Sequence, residues 1–302
     1  MKIGIVGFGH VGTAMKELFK DAVVYDKYKN IGSMQEINTC DAAFVCVPTP
    51  QSDDGSCDTS TVDEVLSELR TDVIILRSTV PVGYTERVSA GHPSDIVFQP
   101  EYYGETVDHP FADLRARHWL TFGGEQQGIS KAIRVYQTVY NSDVQICCVD
   151  SRTAELAKYM ENCFLALKVT FCNEFYDIAQ SMNVNYDMLR EAWTLDPRIG
   201  RSHTFVYPDS RGYAGSCLPK DISATVYQAK QLGVDTTLLE SVREKIKFTD
   251  RMSDKKSSRA DVRRTARDDF INSIYYSAVT AAACFLDSIS LTISACFFSL
   301  KR

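Results

Sequence analysis

Lys2-Ile3-Gly4-Ile5-Val6-Gly7-Phe8-Gly9-His10-Val11-Gly12 opens the chain: a short apolar run, three glycines in a GxGxxG turn, then a helical stretch from Thr13 to Phe19. Gly7 permits the tight turn, Gly9 lets a pyrophosphate approach the backbone, and Gly12 lets the helix pack closely on the strand. Nineteen residues after Gly7, a second apolar run ends in Asp26, where an acid binds a ribose 2′-OH and disfavours a 2′-phosphate. The hexapeptide alone is weak, but strand before, helix after and acid at the right distance point to NAD, with Gly7, Gly9, Val11, Gly12 and Asp26 as its contacts.

Short β-branched runs recur to about residue 150: Ala22 to Tyr25, Ala42 to Val47, Asp72 to Leu76, Asp95 to Phe98, Trp119 to Phe122 and Val144 to Val149. Helical stretches such as Thr61 to Arg70 and Ile129 to Tyr140 separate them. Continuously apolar strands alternating with helices predict a parallel sheet covered on both faces. Residues 1–150 therefore read as an α/β, Rossmann-like, doubly wound NAD-binding domain.

After Asp150 the pattern changes. Thr153 to about Met182 contains no Gly or Pro, and thirty residues make a rod of about 45 Å, suited to a domain connector or a dimer spine. Further helices are expected at Tyr186 to Trp193, Lys220 to Gln231 and Leu238 to Lys247, around a loop from Asp196 to Pro219. Residues 151–248 form a mostly α-helical second domain in this reading, and a homodimer along the long helix is expected. Residues 249–302 are an atypical tail with no assigned fold. Its stretch from Ile271 to Leu300 is long enough for one membrane span, but Asp287 and many Ser and Thr residues make insertion marginal.

The 302 residues are 44% hydrophobic and 24% charged, the balance of a soluble protein with an ordinary core. A net charge of -6 argues against nucleic acid as a partner. Ten cysteines without a CxxC pair and five isolated histidines argue against zinc, and no metal is expected. The first apolar run is too short for a signal peptide, which with thiols in this number predicts a reducing cytoplasm.

Motifs with chemical content follow the strands. Val47-Pro48-Thr49-Pro50 and Ser78-Thr79-Val80-Pro81 fall at strand carboxyl ends, where open α/β sheets bind ligands. Thr79 either hydrogen-bonds a ligand or water there or caps the next helix. Glu101 and Glu105 follow the fifth strand as site carboxylates or solvated loop acids. Lys158 and Asn162, four apart, share a helix face; they either point to solvent or donate together to an oxyanion. In Gly212-Tyr213-Ala214-Gly215-Ser216-Cys217-Leu218-Pro219-Lys220-Asp221, a thiol precedes a helix whose first position is expected at Pro219. The helix dipole and Lys220 would stabilise a thiolate. The alternative is a buried structural thiol, the reading given to Cys46, Cys147 and Cys163.

Together these residues resemble the UDP-glucose/GDP-mannose dehydrogenase family, from Met1 to about Lys247. The resemblance rests on the glycine turn, Ser78-Thr79-Val80-Pro81, Pro100-Glu101, Glu155-Leu156-Ala157-Lys158 with Asn162, Asp196-Pro197-Arg198-Ile199-Gly200 and Cys217-Leu218-Pro219-Lys220-Asp221. It implies NAD-dependent four-electron oxidation of a sugar nucleotide, with UDP-glucose favoured over GDP-mannose, in polysaccharide biosynthesis. Cys217 would be the nucleophile and Lys158 and Asn162 the oxyanion donors. Asp221 and Thr79 would position water, and Glu101 would be a candidate base. Glu105, Lys220, Gly212 and Gly215 match substrate or cofactor positions, as does Pro48. Arg198 would hold the sugar nucleotide, in some relatives across a dimer interface. Two departures stand out: Ala214 replaces a usual glycine, and the family's third, Rossmann-like domain has no counterpart after about Lys247. A truncated or divergent member, or one completed by a separate chain, is the expectation. A β-hydroxyacid dehydrogenase, which makes one hydride transfer without a thiol, and an NAD-binding pseudoenzyme are the alternatives.

Overall fold

The computed structural model describes residues 1–103, 114–213, 215 and 217–253. Glu105, Ala214 and the tail after Ser253 lie outside them. Met1–Thr249 form one compact unit.

The described residues build a seven-stranded sheet in the order β2-β1-β3-β4-β5-β6-β7. Its strands are β1 (Ile3–Val6), β2 (Val23–Tyr25), β3 (Ala42–Val45), β4 (Val73–Leu76), β5 (Asp95–Phe98), β6 (Trp119–Gly123) and β7 (Gln145–Val149). Pairing is parallel from β2 through β5. β6 departs from the all-parallel pattern, meeting β5 antiparallel at Phe98 and Gly123, and β7 runs parallel to β6.

Successive side chains of a strand face opposite ways, and the apolar runs use both faces. Ala42 and Phe44 enter one core with Met15, Phe19, Phe122 and Tyr136, while Ala43 and Val45 enter the other with Ile37, Val65 and Leu76. Each such large side chain, buried from water, contributes roughly 1.5–3 kcal/mol. On these faces lie α1 (His10–Leu18), α2 (Met34–Ile37), α3 (Ser60–Glu68), α4 (Tyr84–Ser89) and α5 (Gln126–Tyr136). Strand order reverses between β1 and β3, so their carboxyl ends open onto the crevice where such sheets bind ligands.

The long helix, α6 (Ser151–Ser181), starts where Asp150 accepts a hydrogen bond from the Thr153 N–H at 2.9 Å. Its first turns lie against Gly123, where an added Cβ would come within 2.4 Å of the Ala154 Cβ. α7 (Tyr186–Trp193), α8 (Cys217–Gln231) and α9 (Thr237–Ser253) complete the described helices. α8 begins two residues before Pro219, contrary to the sequence expectation, so the proline sits in the first turn. The reason is that N–H groups of a helix's first turn have no intrahelical acceptor, and proline costs no hydrogen bond at any of them. Cys147 also departs from expectation: on the edge strand β7 it is exposed, whereas Cys46 and Cys163 are buried.

Candidate active site

At the sheet's switch point, Gly7 adopts φ +89°, and a Cβ on Gly12 would sit 1.9 Å from the Gly7 carbonyl oxygen. Only glycine lets α1 meet the turn this closely. A Cβ on Gly9 would meet nothing within 4 Å, so the backbone at the α1 N-terminus faces an open cradle. Val11 is half-buried in the first turn. The Asp26 carboxylate accepts from the backbone N–H groups of Phe8 (2.8 Å), Tyr28 (3.0 Å) and Lys29 (2.9 Å). Burial pushes its pKa up, but those N–H groups and the Lys29 ammonium outweigh burial and hold it below the ordinary value. Three of about four acceptor positions are thus engaged, which leaves one for a ribose hydroxyl. Beside Asp26 opens a cleft lined by Gly7, Tyr28, Val47, Pro48 and Val65. Open glycine cradle, anionic acceptor and apolar cleft fit a dinucleotide.

The loops after β3 and β4 are bolted together. The Ser78 hydroxyl donates to the Val47 carbonyl at 2.6 Å and the Thr49 hydroxyl to the Thr79 carbonyl at 2.8 Å. Thr79 is not the cap of α4. That helix starts at Tyr84 after Gly83, and its leading Gly83 and Thr85 N–H groups donate to the fully buried Glu155 of α6 at 2.6 and 2.8 Å.

Lys158 and Asn162 do not face solvent: both are buried. The Lys158 ammonium donates to Asn162 Oδ1 at 3.1 Å, and Asn162 Nδ2 donates to Asp221 Oδ2 at 2.5 Å. Lys220 Nζ lies 2.6 Å from Asp221 Oδ1. A cation on one side and a carboxylate on the other leave the Asn162 amide one sensible orientation. Burial drives the Lys158 pKa down from its usual value of 10.5, while Glu161, Asp221 and Cys217 draw it back up and Arg117 lowers it further. The ammonium also sits 4.8 Å from the centre of the Tyr102 ring. Cys217, one turn before Asp221 at the start of α8, is exposed. The structure therefore brings Lys158, Asn162, Lys220, Asp221 and Cys217 together.

Glu101 is neither exposed nor a solvated loop acid. Its carboxylate is buried between the guanidinium groups of Arg77 and Arg117, 3.3 Å from the latter, and also accepts from the Tyr103 N–H. Committed this way, it anchors the loop that puts Tyr102 between Lys158 and Arg117. Arg198 is exposed, is paired with Asp196, and lies in a loop held by Lys168 of α6 through the carbonyls of Ile199 and Gly200. Lys168 is ten residues from Lys158, about 15 Å along the helix, so Arg198 is not part of the cluster within one chain. Gly212 (φ +86°) and Gly215 (φ +105°) carry the chain from Asn173 of α6 back to Cys217 in conformations that favour glycine.

Residues 13–142 match the model of the UDP-glucose/GDP-mannose dehydrogenase family NAD binding domain, and residues 152–245 match that of the same family's central domain. The chain belongs to the UDP-glucose/GDP-mannose dehydrogenase family. NAD is the cofactor of its first half. The family's UDP-glucose 6-dehydrogenase from Rickettsia typhi is 30% identical over 243 residues, covering 76% of this chain and 54% of that protein. The UDP-glucose 6-dehydrogenase of Pseudomonas aeruginosa is 31% identical over 221 residues, 67% of this chain and 47% of that protein. The chain spans about half the length of these curated relatives. Among solved structures, a UDP-glucose dehydrogenase from the hyperthermophilic archaeon Pyrobaculum islandicum superposes with a TM-score of 0.71 at 25% identity, covering 82% of this chain and 68% of that one.

Sequence reasoning missed Arg77, Arg117 and Tyr102. Arg77 carried one legible signal: a cation directly after the apolar run Val73-Ile74-Ile75-Leu76 enters the protein with its strand and needs a buried anion. The other two carried none.

Proposed function

We propose that this family member oxidises the primary alcohol of UDP-glucose to the carboxylate of UDP-glucuronate in two steps, with residues 1–150 binding NAD and residues 151–248 supplying the catalytic groups. The observation that carries this reading is the hydrogen-bonded series Lys158, Asn162 and Asp221, with Lys220 ion-paired to Asp221, beside an exposed thiol at the start of a helix. NAD, when bound, accepts one hydride at each oxidation. Cys217 adds as thiolate to the aldehyde left by the first oxidation, forming a C–S bond and an alkoxide that the Lys158 ammonium and the Asn162 amide hold. Collapse of that alkoxide expels the second hydride and leaves a thioester. Water, positioned by Asp221 and Thr79, then cleaves the C–S bond and restores the thiol. One alcohol, one water and two NAD give one carboxylate, two NADH and three protons. Glu101 contributes by holding Arg117 and Tyr102 in place, since its oxygens are already engaged by two guanidinium groups. Exposed Cys147, Cys148 and Cys217 suit a reducing cytoplasm, and no helix of the described residues is long and apolar enough to cross a membrane.

Mixing the purified chain with NAD and a panel of UDP- and GDP-sugars, while following absorbance of the reduced cofactor, tests this. Two NADH per UDP-glucose are expected. NAD binding without NADH from any sugar, or one NADH per substrate, overturns it.

A homodimer along α6 belongs to the same reading. Met160, Phe164, Phe171, Phe175 and Met182 form an exposed apolar stripe along the helix, more than a monomer leaves uncovered without use. Arg198, whose loop is tied to α6 at Lys168, about 15 Å along the helix from Lys158, then serves the partner's site. Phe171→Asp with Phe175→Asp should convert a dimer to a monomer in sedimentation velocity; a wild type that sediments as a monomer contradicts the proposal.

A further inference from the structure

We infer that Gln228 is a positioning residue that fixes the helix carrying the thiol to the loop carrying Thr79. The inference rests on the proposed function, in that it takes Cys217 and Thr79 to serve one substrate beside NAD.

Eleven residues turn an α-helix through three turns plus about 20°. Cys217, Asp221, Ala224 and Gln228 therefore share one stripe of α8. Its lower part is seated: Ala224 packs with Cys57, Tyr159 and Val82. At its end the Gln228 side chain makes two hydrogen bonds to a single residue of the β4–α4 loop. The Val82 N–H donates to Gln228 Oε1 at 3.2 Å, and Gln228 Nε2 donates to the Val82 carbonyl at 2.9 Å. Among side chains of this length only a carboxamide offers donor and acceptor together, so it pairs with a backbone unit as a neighbouring strand would. The same loop is held at Gly83 and Thr85 by Glu155 of α6 and at Thr79 by Thr49. The loop is thus gripped by both helices that bear the catalytic cluster, and Gln228 is the grip belonging to the thiol's own helix. It touches neither the cluster nor the glycine turn, which leaves it free to set distance without taking part in chemistry.

Removing the pair should loosen the coupling between NAD and the thiol while sparing both. The measurement is the rate of Cys217 carboxamidomethylation by iodoacetamide, resolved from the other cysteines by peptide mass spectrometry, with and without saturating NAD. In the wild type NAD should slow alkylation by about tenfold, the equivalent of one net hydrogen bond. In Gln228→Leu the alkylation rate without NAD and the NAD affinity should stay near wild type, with most of the protection lost. Gln228→Glu keeps the acceptor for the Val82 N–H and repels the Val82 carbonyl, so it should lose protection too, which keeps the test open should the leucine variant fold poorly. Variants that retain full protection overturn the positioning role while leaving the proposed reaction intact. A wild-type thiol that NAD does not protect overturns the placement of thiol and cofactor in one site, and the pin with it.

Discussion

Cys217→Ser should stop the reaction after its first hydride, yielding one NADH per UDP-glucose and an aldehyde that hydroxylamine traps. The first oxidation needs a bound alcohol and a nearby acceptor but no nucleophile. The second needs a tetrahedral adduct, because an aldehyde carbon has no alkoxide to drive out its hydride. Cys217 suits that task by position: it is exposed in the first turn of a fifteen-residue helix. The positive end of the helix dipole stabilises a thiolate by about 0.3–1 kcal/mol, up to about 2 in partly buried geometry, and the Lys158 ammonium lies within electrostatic reach. Serine in the same place keeps the shape, but its hydroxyl ionises far less readily and its ester is a poorer acyl donor than a thioester. A fall of about 10³-fold or more in the second step is expected, on the scale seen when a nucleophile is removed. Single-turnover measurement of NADH with one equivalent of sugar separates the two phases. Two full equivalents from the serine variant would sink the covalent mechanism, because the thiol would then be dispensable.

How much of this was legible in the sequence depended on how local each constraint is. The glycine turn could be read outright, since Gly7 and Gly12 are demanded by backbone geometry within a few residues. The Lys158 and Asn162 pair followed from helical spacing, although the spacing said nothing about whether the pair faced inward. What buried it was α8, whose Asp221 arrives from 59 residues away to accept from Asn162. Glu101 shows the opposite failure. Its partners Arg77 and Arg117 come from the end of β4 and the approach to β6, so an acid that looked available in the sequence is neutralised in the fold. Arg198 is a similar case: its motif is evident, but its distance along α6 is set by the Lys168 contacts to the next two carbonyls. Gln228 was invisible because its partner is a backbone unit, and any residue but proline in place of Val82 would offer the same N–H and carbonyl.

Lys158→Met should cost about 10²–10³-fold in turnover, as losing one oxyanion donor does, while its stability at pH 7 moves by only the difference of two opposing effects of similar size. Two effects oppose each other in the stability. The ammonium is held by the Asn162 amide oxygen and the Tyr102 ring, and the charged groups around it are Asp221, Cys217, Glu161 and Arg117. Removing it leaves the buried Asn162 oxygen without its donor, at about 1–3 kcal/mol. Against that, an apolar side chain recovers the desolvation cost of the ammonium, less its attraction to Asp221 and Glu161. The pH dependence separates the terms. Burial is the largest influence on Lys158 and sets its folded-state pKa below the unfolded value of 10.5. Below the folded-state value the lysine is charged in both states, and the native state bears the whole desolvation cost. Between the two values the native protein releases its proton first, so the unfolded state binds more protons and wild-type stability rises with pH. The methionine variant lacks this gain. Thermal melts of both proteins from pH 7 to 10.5 should therefore show the wild type gaining on the variant as pH increases. A gap that moves the other way would mean that the fold stabilises the ammonium outright, and the lysine would then be a structural cation that happens to lie beside the thiol. An unchanged turnover in Lys158→Met would lead to the same conclusion by the other route, because a group that holds the alkoxide cannot be replaced by a thioether without slowing the step it supports.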